Sequence, residues 1–284
     1  MVEPELSFQE AIRSGDNAAR LIYADWLEEH DRGEEAALLR SGQWSLIPAG
    51  SFWMGGGGGK AGDIHIQIQD HYYLGAYTVT QAEWQVVMGD TPSWFSRHGL
   101  GKSVVEDFSD EELNLFPVES VSCDDAQEFI KRLNEQNRGC QWLYRLPTYK
   151  EWEYACRGAA TSEDECSYDF YFDRPTNDLS STNANFNGNA PAGTADKGPY
   201  LGRPAKVGSY APNRLGLYDM HGNVREWCVA SWGGNGEKGL GGSWRSGGSG
   251  CRAARRDWMA LGSSYRDNNL GFRLARVAVR CGPD

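Results

Sequence analysis

The stretch that decides the fold runs from residue 215 to residue 273. It holds LGLYDMHGNVREWC (215–228), GGSW (241–244), CRAARR (251–256) and LGFR (270–273). Glycine and aromatic residues recur there at set places, with charged residues between them. Neither a helical period nor the alternation of a half-buried strand is present. Glycine enters positive φ without steric cost, so a chain of tight turns uses it where other residues would be strained. Indoles provide large, shaped burial in place of long regular elements. The stretch reads as a loop-rich scaffold held by buried rings.

Four blocks precede it: LIPAGSFWMG (46–55), YYLGAYTVTQAEW (72–84), FPVESVSCDDAQEFIKRLNEQ (116–136) and RLPTYKEWEYACRGA (145–159). With these blocks in this order, the chain resembles the formylglycine-generating-enzyme, or sulfatase-modifying-factor, family. The resemblance covers roughly residues 44–279. It implies an α+β fold of the C-type-lectin type, loop-rich, with the 46–55 block as a first strand and glycine turn. The 116–136 block is then a proline-led strand and helix, and the 145–159 block a helix.

A chain of 284 residues is long enough for one sizeable core and a small appendage. It has 35 Gly, 11 Trp and 13 Tyr, enough aromatic area to fold compactly despite its low hydropathy. The formal net charge of −11 repels phosphates, so no nucleic acid is expected as a partner. The one basic stretch is 245–256, with Arg245, Arg252, Arg255 and Arg256. Residues 1–9 lack the pattern of a secretory signal, and no apolar run has the length of a membrane span. A cytoplasmic protein without membrane contact is expected. Seven cysteines, with no CxxC, then read as free buried thiols. The family resemblance leaves open a pairing of Cys228 with Cys251.

Two units are expected: a helical leader over 1–42 and the family domain over 43–284. The leader has apolar residues at helical spacing, such as Ile12, Leu21, Ile22, Trp26 and Leu27, and breaks at 14–16 and 31–33. Asp16 or Asn17 is its predicted internal cap. In the domain, the glycine run 55–59 lacks the Lys-Ser/Thr of a phosphate loop and reads as a surface loop. IHIQIQ (64–69) reads as a strand. Thr80 with Glu83, and Thr148 with Glu151, match capping boxes. The long polar stretch 166–208 has the composition of a functional or ion-stabilised loop.

Catalytic chemistry finds little support. The family's oxidases use a cysteine pair after the GGS-aromatic step to bind copper and activate oxygen. Here 241–256 contains Cys251 alone, so no catalytic residue and no copper are expected. Relatives that use a triad of histidines have no counterpart in the spacing of His30, His65, His71, His98 and His221. No GxSxG elbow is present. The resemblance implies calcium, held by Asn223, the Val224 carbonyl and Glu226, with Asn185 and Asp196 as a second set. Such oxygen ligands suit Ca²⁺. The competing reading has Asn223 shaping a turn and Glu226 paired with an arginine.

The remaining candidate is a binding surface over 245–269. Arg245, Ser246, Gly247, Ser249, Arg255, Arg256, Asp257, Leu261, Ser263, Tyr265 and Asp267 lie between residues of the family pattern: Trp244, Cys251, Arg252, Ala253 and LGFR. In relatives the intervening positions are often asparagine. Changes at the adenines of its codons yield these residue types. The pattern resembles the variable proteins of diversity-generating retroelements, with Trp258 and Met259 in the constant part. Tyr and Arg anchor ligands while Ser and Gly adapt to them. The expected ligand is a protein or small molecule bound through 245–269. The rival functions are a cysteine-dependent oxidase and an adaptor acting through the leader.

Overall fold

A computed structural model describes residues 3–138, 141–230, 237–258 and 262–278. Leu261 and Met259 lie outside them, and Asp257 and Trp258 are described as backbone only. The chain opens with α1 (Glu3–Arg13), α2 (Asn17–Glu29) and α3 (Gly33–Ser41). Asp16 starts α2 by accepting from the amides of Ala18 and Ala19. Then come β1 (Trp44–Ile47), the hairpin β2 (Gly50–Gly57) and β3 (Lys60–Ile68), and β4 (Tyr72–Gly75). Helices α4 (Gln81–Met88), α5 (Asp110–Asn114) and α6 (Cys123–Gln136) follow, then β5 (Trp142–Arg145) and α7 (Tyr149–Cys156). Each of α4, α6 and α7 starts in a capping box, on Thr80/Glu83, Ser122/Asp125 and Thr148/Glu151. Each box satisfies two amides that a helix start leaves unpaired.

The rest of the chain is short strands and turns: β6 (Phe170–Tyr171), β7 (Pro175–Thr176), β8 (Arg225–Cys228), β9 (Lys238–Leu240), β10 (Arg256–Trp258), β11 (Leu270–Gly271) and β12 (Ala275–Ala278). One sheet has the order β1-β4-β12-β5, antiparallel throughout, so a strand near the end of the chain lies between early ones. The second has the order β10-β9-β8-β11, with β8 and β11 parallel. This second sheet joins three of the four motifs of the 215–273 stretch.

The glycine run is not a plain surface loop. It forms the tip of the β2–β3 hairpin, with a register shift between Met54 and Gly56. Gly57 has φ 132°, and a Cβ there would lie 2.0 Å from Asp169 Oδ1. Only glycine lets the hairpin tip approach Asp169 so closely.

Trp152, Trp227, Tyr72, Tyr73, Phe116 and Phe129 are fully buried. The leader shares this interior: Ile12, Tyr23, Leu27 and Leu39 pack in one cluster with Leu46, Ile47 and Leu74. A polar seam runs beside them. Tyr23 donates to Glu5 at 2.7 Å, Arg32 bridges Glu5 and Glu35, and Tyr73 donates to Glu35 at 3.1 Å. The long stretch after Cys166 has its own small core of Phe170, Leu179, Ala184, Phe186 and Ala192, which closes on Cys251.

Candidate functional site

The 245–269 segment is built on a few buried anchors. Trp244 is buried, with its ring edge-on to Phe95 at 5.5 Å and its Nε1 donating to the Asn268 carbonyl at 3.2 Å. A 3₁₀ turn over Gly248–Cys251 then drops Cys251 into the Phe170 cluster, and Ala253 is fully buried. Two adjacent glycines differ in kind. A Cβ on Gly248 would lie 2.6 Å from the Ala192 amide nitrogen, so this position must be glycine. A Cβ on Gly247 meets its nearest atom at 3.4 Å, an ordinary contact, so a side chain fits there.

Between the anchors, Arg245, Ser249 and Arg255 are exposed, while Ser246, Gly247, Ser263, Tyr265 and Asp267 are half-buried. Asp267 accepts from Tyr265 Oη at 2.8 Å and from Arg245. The ring of Tyr265 packs against the cluster that holds Phe272 and Trp227. Tyr265 and Asp267 are therefore less exposed than their residue types suggest. Burial, then the bond to Asp267, raises the Tyr265 phenol above its ordinary range. Ser263 Oγ donates to Asp124 at 3.1 Å at the start of α6. Behind this group lies Glu119, bonded by the Phe95 amide and Ser120 Oγ. Burial outweighs those bonds and pushes its carboxyl up to about 7. The Ser120 amide donates to the Asp267 carbonyl at 3.0 Å, which ties the segment to the body.

The other half of the segment borders a cavity of about 570 Å³. Arg225, Arg252 and Arg255 line it, with Ser246, Ser249 and glycine backbone from the hairpin tip and the 3₁₀ turn. Arg225 belongs to β8 and lies close enough to Tyr265 to act on its phenol. It links the cavity to the Arg245–Tyr265–Asp267 group. Arg225, Arg252 and Gly56 were not among the residues expected from the sequence. Arg252 showed in the sequence only as part of the basic stretch 245–256, and no local pattern shows that Arg225, Arg252 and Gly56 meet.

Of the residues expected to hold calcium, Asn185, Asn223, Val224 and Glu226 are buried. Asn223 adopts φ 59° and shapes its turn: Oδ1 accepts from the Ala205 amide at 2.9 Å and from Asn185 Nδ2 at 3.1 Å. Glu226 is paired with Arg273 through both carboxylate oxygens, at 2.8 and 2.9 Å, and also accepts from Trp152 Nε1 at 2.6 Å. Arg273 goes on to the carbonyls of Gly75, Ala76 and Tyr218. The fit to an ion is thus divided. An ion would have to displace Arg273 from Glu226, whereas Asn185 Oδ1 is buried beside Asn223 without a hydrogen-bond partner. Asp196 is exposed.

Cys123, Cys156, Cys166, Cys228 and Cys251 are buried, and no disulfide joins any two of them. Burial pushes the Cys123, Cys156, Cys166 and Cys228 thiols up, away from the reactive thiolate. Among the described residues, no three His, Cys, Asp or Glu side chains are grouped to hold a metal ion. Among them too, no helix is long and apolar enough to cross a membrane.

The two sheets, the crossed-over β12 and the loop-borne face define a scaffold of the formylglycine-generating-enzyme type, a C-type-lectin-like fold. The profile of the Sulfatase-modifying factor enzyme 1-like domain matches residues 28–278, and the chain belongs to that family. It is 30% identical over 191 residues to Chaperone protein LppX of Paenibacillus barcinonensis, covering 58% of this chain and 64% of that protein. It is 30% identical over 154 residues to the Formylglycine-generating enzyme of Thermomonospora curvata, covering 54% of this chain and 44% of the enzyme. The match to mouse (Mus musculus) Inactive C-alpha-formylglycine-generating enzyme 2 is 31% over 178 residues, covering 60% and 52%. The chain thus spans about half to under two thirds of these relatives' lengths. Among solved structures, Treponema denticola variable protein 1 has a similar fold: TM-score 0.58, 23% identity, 82% of this chain and 94% of that one. PvdO from Pseudomonas aeruginosa matches at TM-score 0.58 and 21% identity, with 82% and 93% covered.

Proposed function

We propose that this protein is a non-catalytic, ligand-binding member of its family whose 245–269 segment is a diversified recognition surface. The observation that carries this reading is the split within one short segment. Trp244, Gly248, Cys251 and Ala253 are buried, while Arg245, Ser249 and Arg252 between them and Arg255 just after them are exposed, and Gly247 has room for a side chain. A surface can vary only where its residues do not also hold the packing. The oxidase reading would need a second reactive thiol beside Cys251, and the other described cysteines are buried with it. Calcium is proposed at the Asn223 turn, supported by the unpartnered Asn185 Oδ1. The carboxylate of Glu226 is engaged by Arg273, which argues for backbone and amide oxygens as the ligands.

The diversification is tested by deep sequencing of the coding segment for 241–273 in cultured populations of the source cell. Variation should concentrate at codons 245, 246, 247, 249, 255, 257, 261, 263, 265 and 267, with codons 244, 251 and 253 constant. A reverse transcriptase gene and a near-copy of the segment should lie close by. A segment without variation, and with neither neighbour, would overturn the proposal.

A further inference from the structure

The chain is acidic, with a net charge of −11, yet three guanidinium groups border one cavity. They come from two parts of the fold: Arg225 from β8, and Arg252 and Arg255 from one turn between the 3₁₀ turn and β10, where the Arg255 amide donates to the Arg252 carbonyl at 2.9 Å. Bringing like charges to one opening costs energy, and an anion in that opening offsets it. No acidic side chain lines the cavity among the described residues. The buried carboxylate of Asp169 meets Arg252 Nε at 3.2 Å. Arg225 and Arg255 have contacts of their own within the protein as well.

Asp169 is held in place by the glycine hairpin. It accepts from the Gly58 amide, and Gly57 packs against its carboxylate where no Cβ fits. The run of five glycines thus has a role that its sequence did not disclose. It backs the carboxylate that positions Arg252. Serine hydroxyls and glycine backbone complete the wall, which is the chemistry of an oxyanion pocket rather than of an apolar one. Three guanidinium groups, one from β8 and two from the turn before β10, suit a tetrahedral group with three or four oxygens better than a planar carboxylate, which one or two arginines satisfy.

We propose that this cavity is an oxyanion subsite of the recognition face, built on Arg225, Arg252 and Arg255, which takes a phosphate- or sulfate-ester group of the ligand. It rests on the reading of 245–269 as a recognition surface and adds the chemical class of what is recognised.

Calorimetric titration of the whole chain with phenyl phosphate, phenyl sulfate and the neutral phenyl glucoside tests the subsite. Saturable binding of at least one ester is expected, weakening as salt rises. Arg252→Gln and Arg255→Gln should each weaken it by about tenfold or more. Arg132→Gln, an equal charge change on the exposed face of α6, should leave it unaltered. Unchanged near-ultraviolet dichroism checks that the variants are folded. Tighter binding of the phosphate names phosphate esters as the source, and tighter binding of the sulfate names sulfate esters; both uphold the subsite. No saturable binding of either ester, or binding that survives both arginine changes, would overturn it. A protein that binds no ester but tolerates exchange of its exposed 245–269 residues loses only this subsite, whereas intolerance of that exchange removes the recognition reading itself.

Discussion

His221 shows how a single side chain is fixed by its neighbours. It is buried, with Nδ1 2.8 Å from the Cys251 carbonyl and Nε2 2.9 Å from the Tyr171 amide. One neutral tautomer satisfies both bonds: Nδ1–H donates to the carbonyl, and bare Nε2 accepts from the amide. A proton on Nε2 would face another N–H. Burial first, and the Arg157 charge with it, lowers the imidazole to about 4. In the unfolded chain the same group takes up its proton near 6.5. Below that value the unfolded state binds a proton that the folded state refuses. Stability from His221 is therefore complete above 6.5 and is lost as pH falls from 6.5 through about 4. In an NMR pH titration the His221 ring should keep the shifts of its neutral form at pH 5.5, a unit below its unfolded value. Half-protonation near pH 6.5 would contradict the buried bonds. The ring ties the 215–228 motif to the underside of the recognition segment, so its state reports on both.

At the scale of elements, the turn from Gly222 into β8 joins the scaffold to the proposed ion. If calcium binds at Asn223 with Asn185, free ion at a hundredfold above Kd adds about 2.7 kcal/mol. The thermal midpoint should be higher with calcium than with chelator, and the difference should vanish in Asn185→Ala. Equal midpoints in the unaltered protein would reject the ion. How much of this was legible in the sequence depended on range. Helices α4 and α7 were readable because a capping box needs only residues three apart, as in Thr80 with Glu83. The 64–69 strand was readable from its alternation. The glycine run misled, because hairpin geometry depends on what the tip meets, and Asp169 lies more than a hundred residues on. The Glu226 pairing was named as an alternative but could not be chosen, since Arg273 is 47 residues away. The cavity was invisible for the same reason: Gly56, Arg225 and Arg252 meet only in the fold.

At the scale of the molecule, the architecture separates holding from binding. The aromatic core, the buried Glu226–Arg273 and Glu153–Arg157 pairs and the leader's Tyr23 seam fix the body. The 245–269 segment lies across its surface on a few anchors. Losing one partner of a buried pair costs roughly 3–5 kcal/mol, so the body cannot vary. Tyr265 and Asp267 lie on the boundary, since they face outward but also touch the body through the Phe272 cluster and Ser120. The central claim is that the face varies without disturbing the fold. It is tested most directly by urea unfolding of two sets of single substitutions. Trp227→Ala, Trp244→Ala and Phe272→Ala should each lose roughly 3–5 kcal/mol. Arg245→Ala, Gly247→Ser, Ser249→Ala and Arg255→Ala should stay within about 0.5 kcal/mol of the unaltered protein. Losses in the second set as large as those in the first would show that the segment is part of the core, and would contradict the account.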